Sequence, residues 1–428
     1  MQTYEVKAQR DRLSSFLKPV LARMGREERR KWGAFWVQGL LMQGGRKTAA
    51  GIASRNGGDA QALQQFVNQS PWDWAPVRAV LAENCVVRMS PKCAWVVDDT
   101  GFPKKGDKSV GVMKQYSGTL GKIGNCQIGV SLNYATDEGC IPLDFELYLP
   151  EEWAQDRQRR EISSVPAWVE FKEKWRLSID MIEGALALKI PRGVVIADAG
   201  YGNVGDFRSE LRRLGLSYVV GVSPGTGVYL TEQSMPEAAR GATGRPRTRH
   251  HGLPKPLSLL EVATQLEANC WKRVVWRQGT KGEMRGRFTA VRAQPSHGHN
   301  QKHVTDVMGW LLIEWPEGEP EPTKYWLSNL GLDTEIRDLV YWAKIRWWVE
   351  QNYEQLKQEV GLSHFEGRTW KGWHHHVTLC MMAFDFLVME SLRAKRNFWV
   401  DAAESETGNA DDVGTDTWIL SDMQAEAP

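Results

Sequence analysis

The chain has 428 residues, 42% hydrophobic and 25% charged, with a formal net charge of +2, enough for two or three domains around a sizeable core. Its polar start, "MQTYEVKAQRDRLSS", and the interruption of its longest late apolar run, "CMMAFDFLVM", by Asp385 argue against a signal peptide and a bilayer-spanning helix. Six cysteines without a C-x-x-C pair argue against zinc-knuckle and disulfide-framework classes and favour a reducing cytoplasm.

Residues 1–90 read as helices joined by short turns, since "LSSFLKPVLARM" and "KWGAFWVQGLLM" repeat apolar residues at helical spacing. This segment is predicted to be a helical DNA-binding or scaffold domain. From 91 to 224 the texture changes. "CAWVVDDTG", "NCQIGVSLNYAT" and "CIPLDFELYLP" read as strands, and "FKEKWRLSIDMIEGALAL" as a helix. The strand "VVIADAGYG", the helix "VGDFRSELRRLG" and the strand "LSYVVGVS" follow. This order predicts an α/β fold with an open mixed sheet flanked by helices.

Residues 225–322 break the pattern and read as a basic, β-rich insertion with strands such as "CWKRVVWRQ", "GRFTAVRAQ" and "GWLLIEW". Between Arg240 and Lys302 there are thirteen Lys or Arg and three Glu. The run "GRPRTRHHGLPK", with Arg245, Arg247 and Arg249, suits a phosphate backbone, and a solvated loop is the alternative. Trp271, Trp276 and Trp326 are candidates for stacking on a base. Residues 323–395 return to the sheet and then enter a long helix, capped by Asp333 and ended by Gly361. Residues 396–428 are predicted to be an acidic, disordered tail, with eight acids and no Lys or Arg from Asp401 onward.

Three acids stand out. Asp98 and Asp99 follow one apolar strand and point to opposite faces, so only one of them can serve a given site. Asp198 closes a second apolar strand, and the carboxyl ends of parallel strands are where ligands gather. Glu350 lies in "KIRWWVEQNYEQLK", where a continuous helix would put Arg346, Glu350 and Lys357 on one face. A surface ion-pair ladder is the plain alternative there. Three converging carboxylates without Cys or His favour Mg2+ or Mn2+. Two such ions ~3.5–4 Å apart suit phosphodiester cleavage, with nearby cations holding phosphates. Lys104, Lys105, Lys114 and Lys122 are assigned to loops that could line a DNA path. His374, His375 and His376 diverge by about 100° each on a helix and are assigned structural or phosphate contacts ahead of a metal role.

Together, "WVVDDTGFPKKG", "QYSGTLGKIGNCQ", "VVIADAGYGN" and "RWWVEQNYEQLKQEVGLSHFEGRTWKGWHHH" resemble the DDE transposases of bacterial insertion sequences, in particular the IS-seven-zero-one group. The resemblance covers roughly residues 20–395. It implies an RNase H-like catalytic core, interrupted by a β-rich insertion between the second Asp and the Glu. It also implies Mg2+-dependent cutting at terminal inverted repeats and joining of the freed 3′ ends to a target. Carried over by residue, Asp99, Asp198 and Glu350 are the three catalytic acids and metal ligands. Arg346 and Lys357 fit the spacing of the wider relatives around the Glu, whereas Ala343 stands where those relatives have Tyr. The expected partners are double-stranded DNA, as element ends and target, and a second copy of the chain on DNA. No membrane is expected. A DNA-binding protein that no longer cuts, and a nuclease without strand transfer, are the competing readings.

Overall fold

The computed structural model describes residues 2–118, 121–232, 254–279, 282–296 and 306–404. Arg245, Arg247, Arg249 and residues 405–428 of the tail predicted over 396–428 lie outside the described residues, whereas residues 396–404 of that tail are helical, not disordered. The chain divides into two compact units. The first holds residues 1–93, 98–191 and 348–428, and the second holds 94–97 and 192–347.

The first unit opens with five helices, α1 (Gln2–Leu21), α2 (Glu27–Leu41), α3 (Ala49–Asn56), α4 (Ala60–Asn68) and α5 (Ala75–Val86). Their boundaries follow local chemistry. Thr48 and Asp59 cap α3 and α4 by accepting backbone N–H bonds, and Pro76 sits in the first turn of α5, where its missing N–H costs nothing. Strand β1 (Ala94–Pro103) then enters, followed by β2 (Met113–Ser117), β3 (Lys122–Ala135) and β4 (Cys140–Leu147). Both β2 and β4 pair antiparallel with β3, and β3 neighbours β1. Lys114 and Lys122, assigned to loops above, therefore stand on β2 and β3. Helices α6 (Glu151–Gln155), α7 (Arg157–Ile162) and α8 (Lys174–Ala187) follow.

The second unit is built on a parallel core. β5 (Val194–Ala197) pairs in parallel with the start of β1, setting Val96 opposite Ile196, and with β6 (Tyr218–Val222) on its other side. Helices α9 (Ala199–Gly202) and α10 (Gly205–Arg213) connect β5 to β6. The sheet continues through β7 (Gly227–Tyr229), β8 (Leu257–Ser258), helix α11 (Leu259–Gln265), β9 (Lys272–Gly279), β10 (Gly282–Pro295), β11 (Gly309–Trp315) and β12 (Lys324–Ser328). In space the order is β1-β5-β6-β12-β11-β10-β7-β8, with β9 also on β10. The β-rich stretch thus joins the parallel strands through β12, which pairs with β11 on one side and β6 on the other. Burial of Asp306 between Arg208 and Arg212 of α10 ties this stretch to its own unit.

The predicted long helix is three pieces. Helix α12 (Ile336–Lys344) starts after Glu335 rather than Asp333. A turn at Ile345 and Arg346 separates it from α13 (Trp347–Gln355), and a π-helical turn, Leu356–Val360, runs on to Gly361. Gly361 adopts φ 86°, the left-handed end that favours glycine. Helix α14 (Trp370–Glu404) closes the first unit, packing on β4, α2, α4 and α5.

Candidate active site

The apolar run Ala94–Val97 is completely buried and ends in the two acids. Asp98 turns inward, 8% exposed, and its carboxylate accepts the Asp99 N–H at 2.8 Å. Asp99 is half-buried, and its Oδ2 accepts from the Lys174 Nζ at 2.9 Å. Strand alternation thus separates the two neighbours, and Asp99 holds the Lys174 ammonium. Lys174 opens α8, and its ammonium stands 5.8 Å from the Tyr148 ring centre.

Asp198 follows the last residue of β5 and caps α9, where its Oδ1 accepts from Gly200 N at 2.9 Å. The glycines of "DAGYG" have a steric reason. A Cβ on Gly202 would lie 1.9 Å from the Gly221 carbonyl oxygen, so only glycine lets α9 sit against β6.

Glu350 is exposed on the first turn of α13. Arg346 is half-buried and lies in the turn immediately before that helix. Lys357 belongs to the π-helical turn, and its Nζ donates to the Gly101 carbonyl at 2.9 Å, two residues beyond Asp99 on β1. Burial lowers its pKa from 10.5 to about 8. A π-helical turn beside a candidate site is a frequent functional device.

The remaining candidates divide clearly. Lys104 donates to the Phe365 carbonyl at 2.7 Å, and burial lowers its pKa to about 8, with Arg46 adding to the effect. Lys105 is exposed in the loop after β1. The three consecutive histidines are buried and point to different partners. His374 stacks on Trp74 and His375 on Trp72, while His376 stacks on Phe365 and bonds the Gly361 carbonyl. Burial depresses the pKa of all three, to about 4 for His375 and His376. They are packing residues. Trp276 and Trp326 flank the Lys344 ammonium, and Trp271 packs edge-on against Trp315.

Among the described residues no group of three or more His, Cys, Asp or Glu stands together as a metal site. The donor chemistry still suits a hard divalent ion. The candidate ligands are all carboxylates, and Asp99 already holds a cation in the form of an ammonium. Sequence reasoning did not find Lys174, because nothing in its local pattern distinguishes it from an ordinary helix-start lysine.

A family model described as "DDE superfamily endonuclease" matches residues 19–283. That span contains Asp99 and Asp198 and ends before Glu350. A protein of Microchaete diplosiphon named "Probable transposase for insertion sequence element IS701" is 26% identical over 325 residues, covering 75% of this chain and 72% of the relative. Members of this superfamily use divalent metal ions.

Proposed function

The chain belongs to the DDE superfamily of endonucleases and is a DNA-cleaving transposase of that class, and we propose that Asp99, Asp198 and Glu350 are its catalytic acids. The observation that carries this reading is that two apolar strand segments, Ala94–Val97 within β1 and the whole of β5, are each followed by an Asp and fall within the matched family span. Those strands run parallel, with Val96 opposite Ile196, and the acids follow two or three positions further along each. We assign an RNase H-like core to the antiparallel β4-β3 pair followed by β1, β5 and β6 in that spatial order. The β-rich stretch 225–322 is its insertion, residues 91–224 and 323–395 its two halves, and the helices of residues 1–90 a DNA-holding or scaffold domain.

Asp99, Asp198 and Glu350 would hold two Mg2+ ions, for which Mn2+ could substitute, and such ions would supply activation of the attacking oxygen and stabilisation of the leaving one. The chain's own groups supply the rest. The three carboxylates provide the charge and oxygen donors that hold such ions. Arg346 and Lys357 fix phosphate oxygens, one as a planar fork and the other as a point charge. Lys104, Lys105, Arg245, Arg247 and Arg249 add to the electrostatic hold on the duplex. Water cuts at the element ends, and the freed 3′ hydroxyls attack the target. Pairing two ends calls for a homodimer on DNA, working in the cytoplasm at the nucleoid. No helix among the described residues is long and apolar enough to cross a membrane.

The test is end cleavage in Mg2+ with the inverted repeats that bracket the coding region. Asp99→Asn, Asp198→Asn and Glu350→Gln each lose nicking by several orders of magnitude while keeping DNA shifts. Full cleavage by any of them removes that residue from the assignment. A wild-type protein that shifts DNA and never nicks it would favour the non-cutting reading. Cleavage without joining of pre-cut ends would favour a plain nuclease.

A further inference from the structure

The Lys174–Asp99 contact is an unusual use of a helix start. Lys174 is the first residue of a 14-residue helix, where the backbone dipole is positive and a cation is disfavoured. Its side chain nevertheless crosses to β1 and places the ammonium 2.9 Å from the carboxylate, with Lys174 33% and Asp99 25% exposed. Lys357 of the π-helical turn donates to the Gly101 carbonyl, two residues further along the same strand. The Lys174 charge thus meets the Asp99 carboxylate directly.

We propose that Lys174 is a displaceable counter-ion that competes with the divalent metal for Asp99 and passes to a DNA phosphate when the metal is taken up. The proposal rests on Asp99 being a metal ligand. An ammonium hydrogen-bonded at this distance occupies carboxylate lone pairs that an ion at ~2.0–2.1 Å requires, and the two positive charges repel each other. The lysine has a flexible four-carbon stem and three rotatable donors, so it can leave the acid and meet a phosphate oxygen within its own reach. Phosphate then stabilises the displaced lysine, which clears Asp99. By linkage, DNA strengthens metal binding and metal strengthens DNA binding by the same factor. The consequence is a protein that loads metal poorly until DNA is present.

The measurement is Mn2+ affinity by electron paramagnetic resonance on the full chain, with and without a short duplex in Ca2+-free buffer. Catalysis is not read. Wild type binds Mn2+ more tightly when duplex is added. Lys174→Met binds Mn2+ about two- to fivefold more tightly than wild type without DNA, the size of a part-exposed ion pair, and gains less from the duplex. Lys174→Arg keeps the wild-type pattern. Circular dichroism establishes that both variants are folded. Unchanged Mn2+ affinity in folded Lys174→Met, or an undiminished gain from duplex, overturns the proposal. Asp99→Asn separates the two levels. If it loses Mn2+ while Lys174→Met changes nothing, the counter-ion role alone fails. If it binds Mn2+ like wild type, the ligand assignment fails first and the counter-ion role with it.

Discussion

Replacing Glu314 by Gln tests how the second unit anchors the end of α12. Lys344, the last residue of that helix, donates to both Glu314 carboxylate oxygens at 2.7 and 2.6 Å. The ammonium lies 4.5 Å from the Trp276 ring centre and 5.5 Å from those of Phe288 and Trp326. The lysine side chain is 13% exposed and the glutamate 5%, so neither charge is solvated by bulk water. Burial pulls the lysine pKa below its ordinary value, against the opposing pull of Glu314. Lys324, across the strand pair, is 3.9 Å away and 57% exposed, too distant and too solvated to take over.

Glu314→Gln keeps the shape and removes the charge, leaving an ammonium buried among indoles. Breaking a buried pair from one side costs about 3–5 kcal/mol. For a domain of 150–250 residues that lowers Tm by roughly 6–20 °C. The double variant Glu314→Leu with Lys344→Met removes both charges and fills the space, so it recovers most of that loss. Urea melts followed by tryptophan fluorescence suit the test, because Trp276 and Trp326 border the pair. A loss below ~1 kcal/mol in Glu314→Gln refutes the reasoning. So does a double variant whose cost equals the sum of the two singles.

Two further outcomes follow from buried ionisable groups. Asp385 on α14 is fully buried, its two carboxyl oxygens have no hydrogen-bond partner among the described residues, and burial raises its pKa well above 3.8. The folded acid keeps its proton while the unfolded one releases it, so this residue makes stability fall as pH rises above the ordinary carboxyl range. Asp385→Leu removes that slope and gains about 1–3 kcal/mol near neutral pH, and a variant less stable than wild type in urea would contradict it. Lys104 and Lys357 have the opposite sign. Burial sets both at about 8, so between there and the unfolded value of ~10.4 the unfolded chain binds more protons. Stability therefore rises with pH across that window. The double variant Lys104→Met, Lys357→Met flattens the rise in urea midpoints, and an unchanged pH profile would show that neither lysine is desolvated.

Local pattern alone located most elements. The run "CAWVVDDTG" became β1, "CIPLDFELYLP" became β4, and "GWLLIEW" became β11, because a continuous apolar run states its own burial. Gly361 ended its segment in the left-handed conformation that its residue type favours. The separation of Asp98 from Asp99 was also legible, since it follows from the two-residue repeat of a strand. The histidine run likewise diverged as helix geometry requires, although only the fold supplied the rings that each one packs against.

The break at Ile345 and Arg346 was not legible. A helical hydrophobic repeat spans it without interruption, while the contacts on either side come from distant strands. Lys344 is held by Glu314, and Trp347 stacks 3.6 Å from the Arg277 guanidinium. The cation on Asp99 was equally hidden, because Lys174 lies 75 residues away in the chain. Periodicity records which side of an element is buried and where its backbone can turn. It carries no trace of which distant charge completes a side chain's electrostatics, because that pairing forms only once the chain has packed.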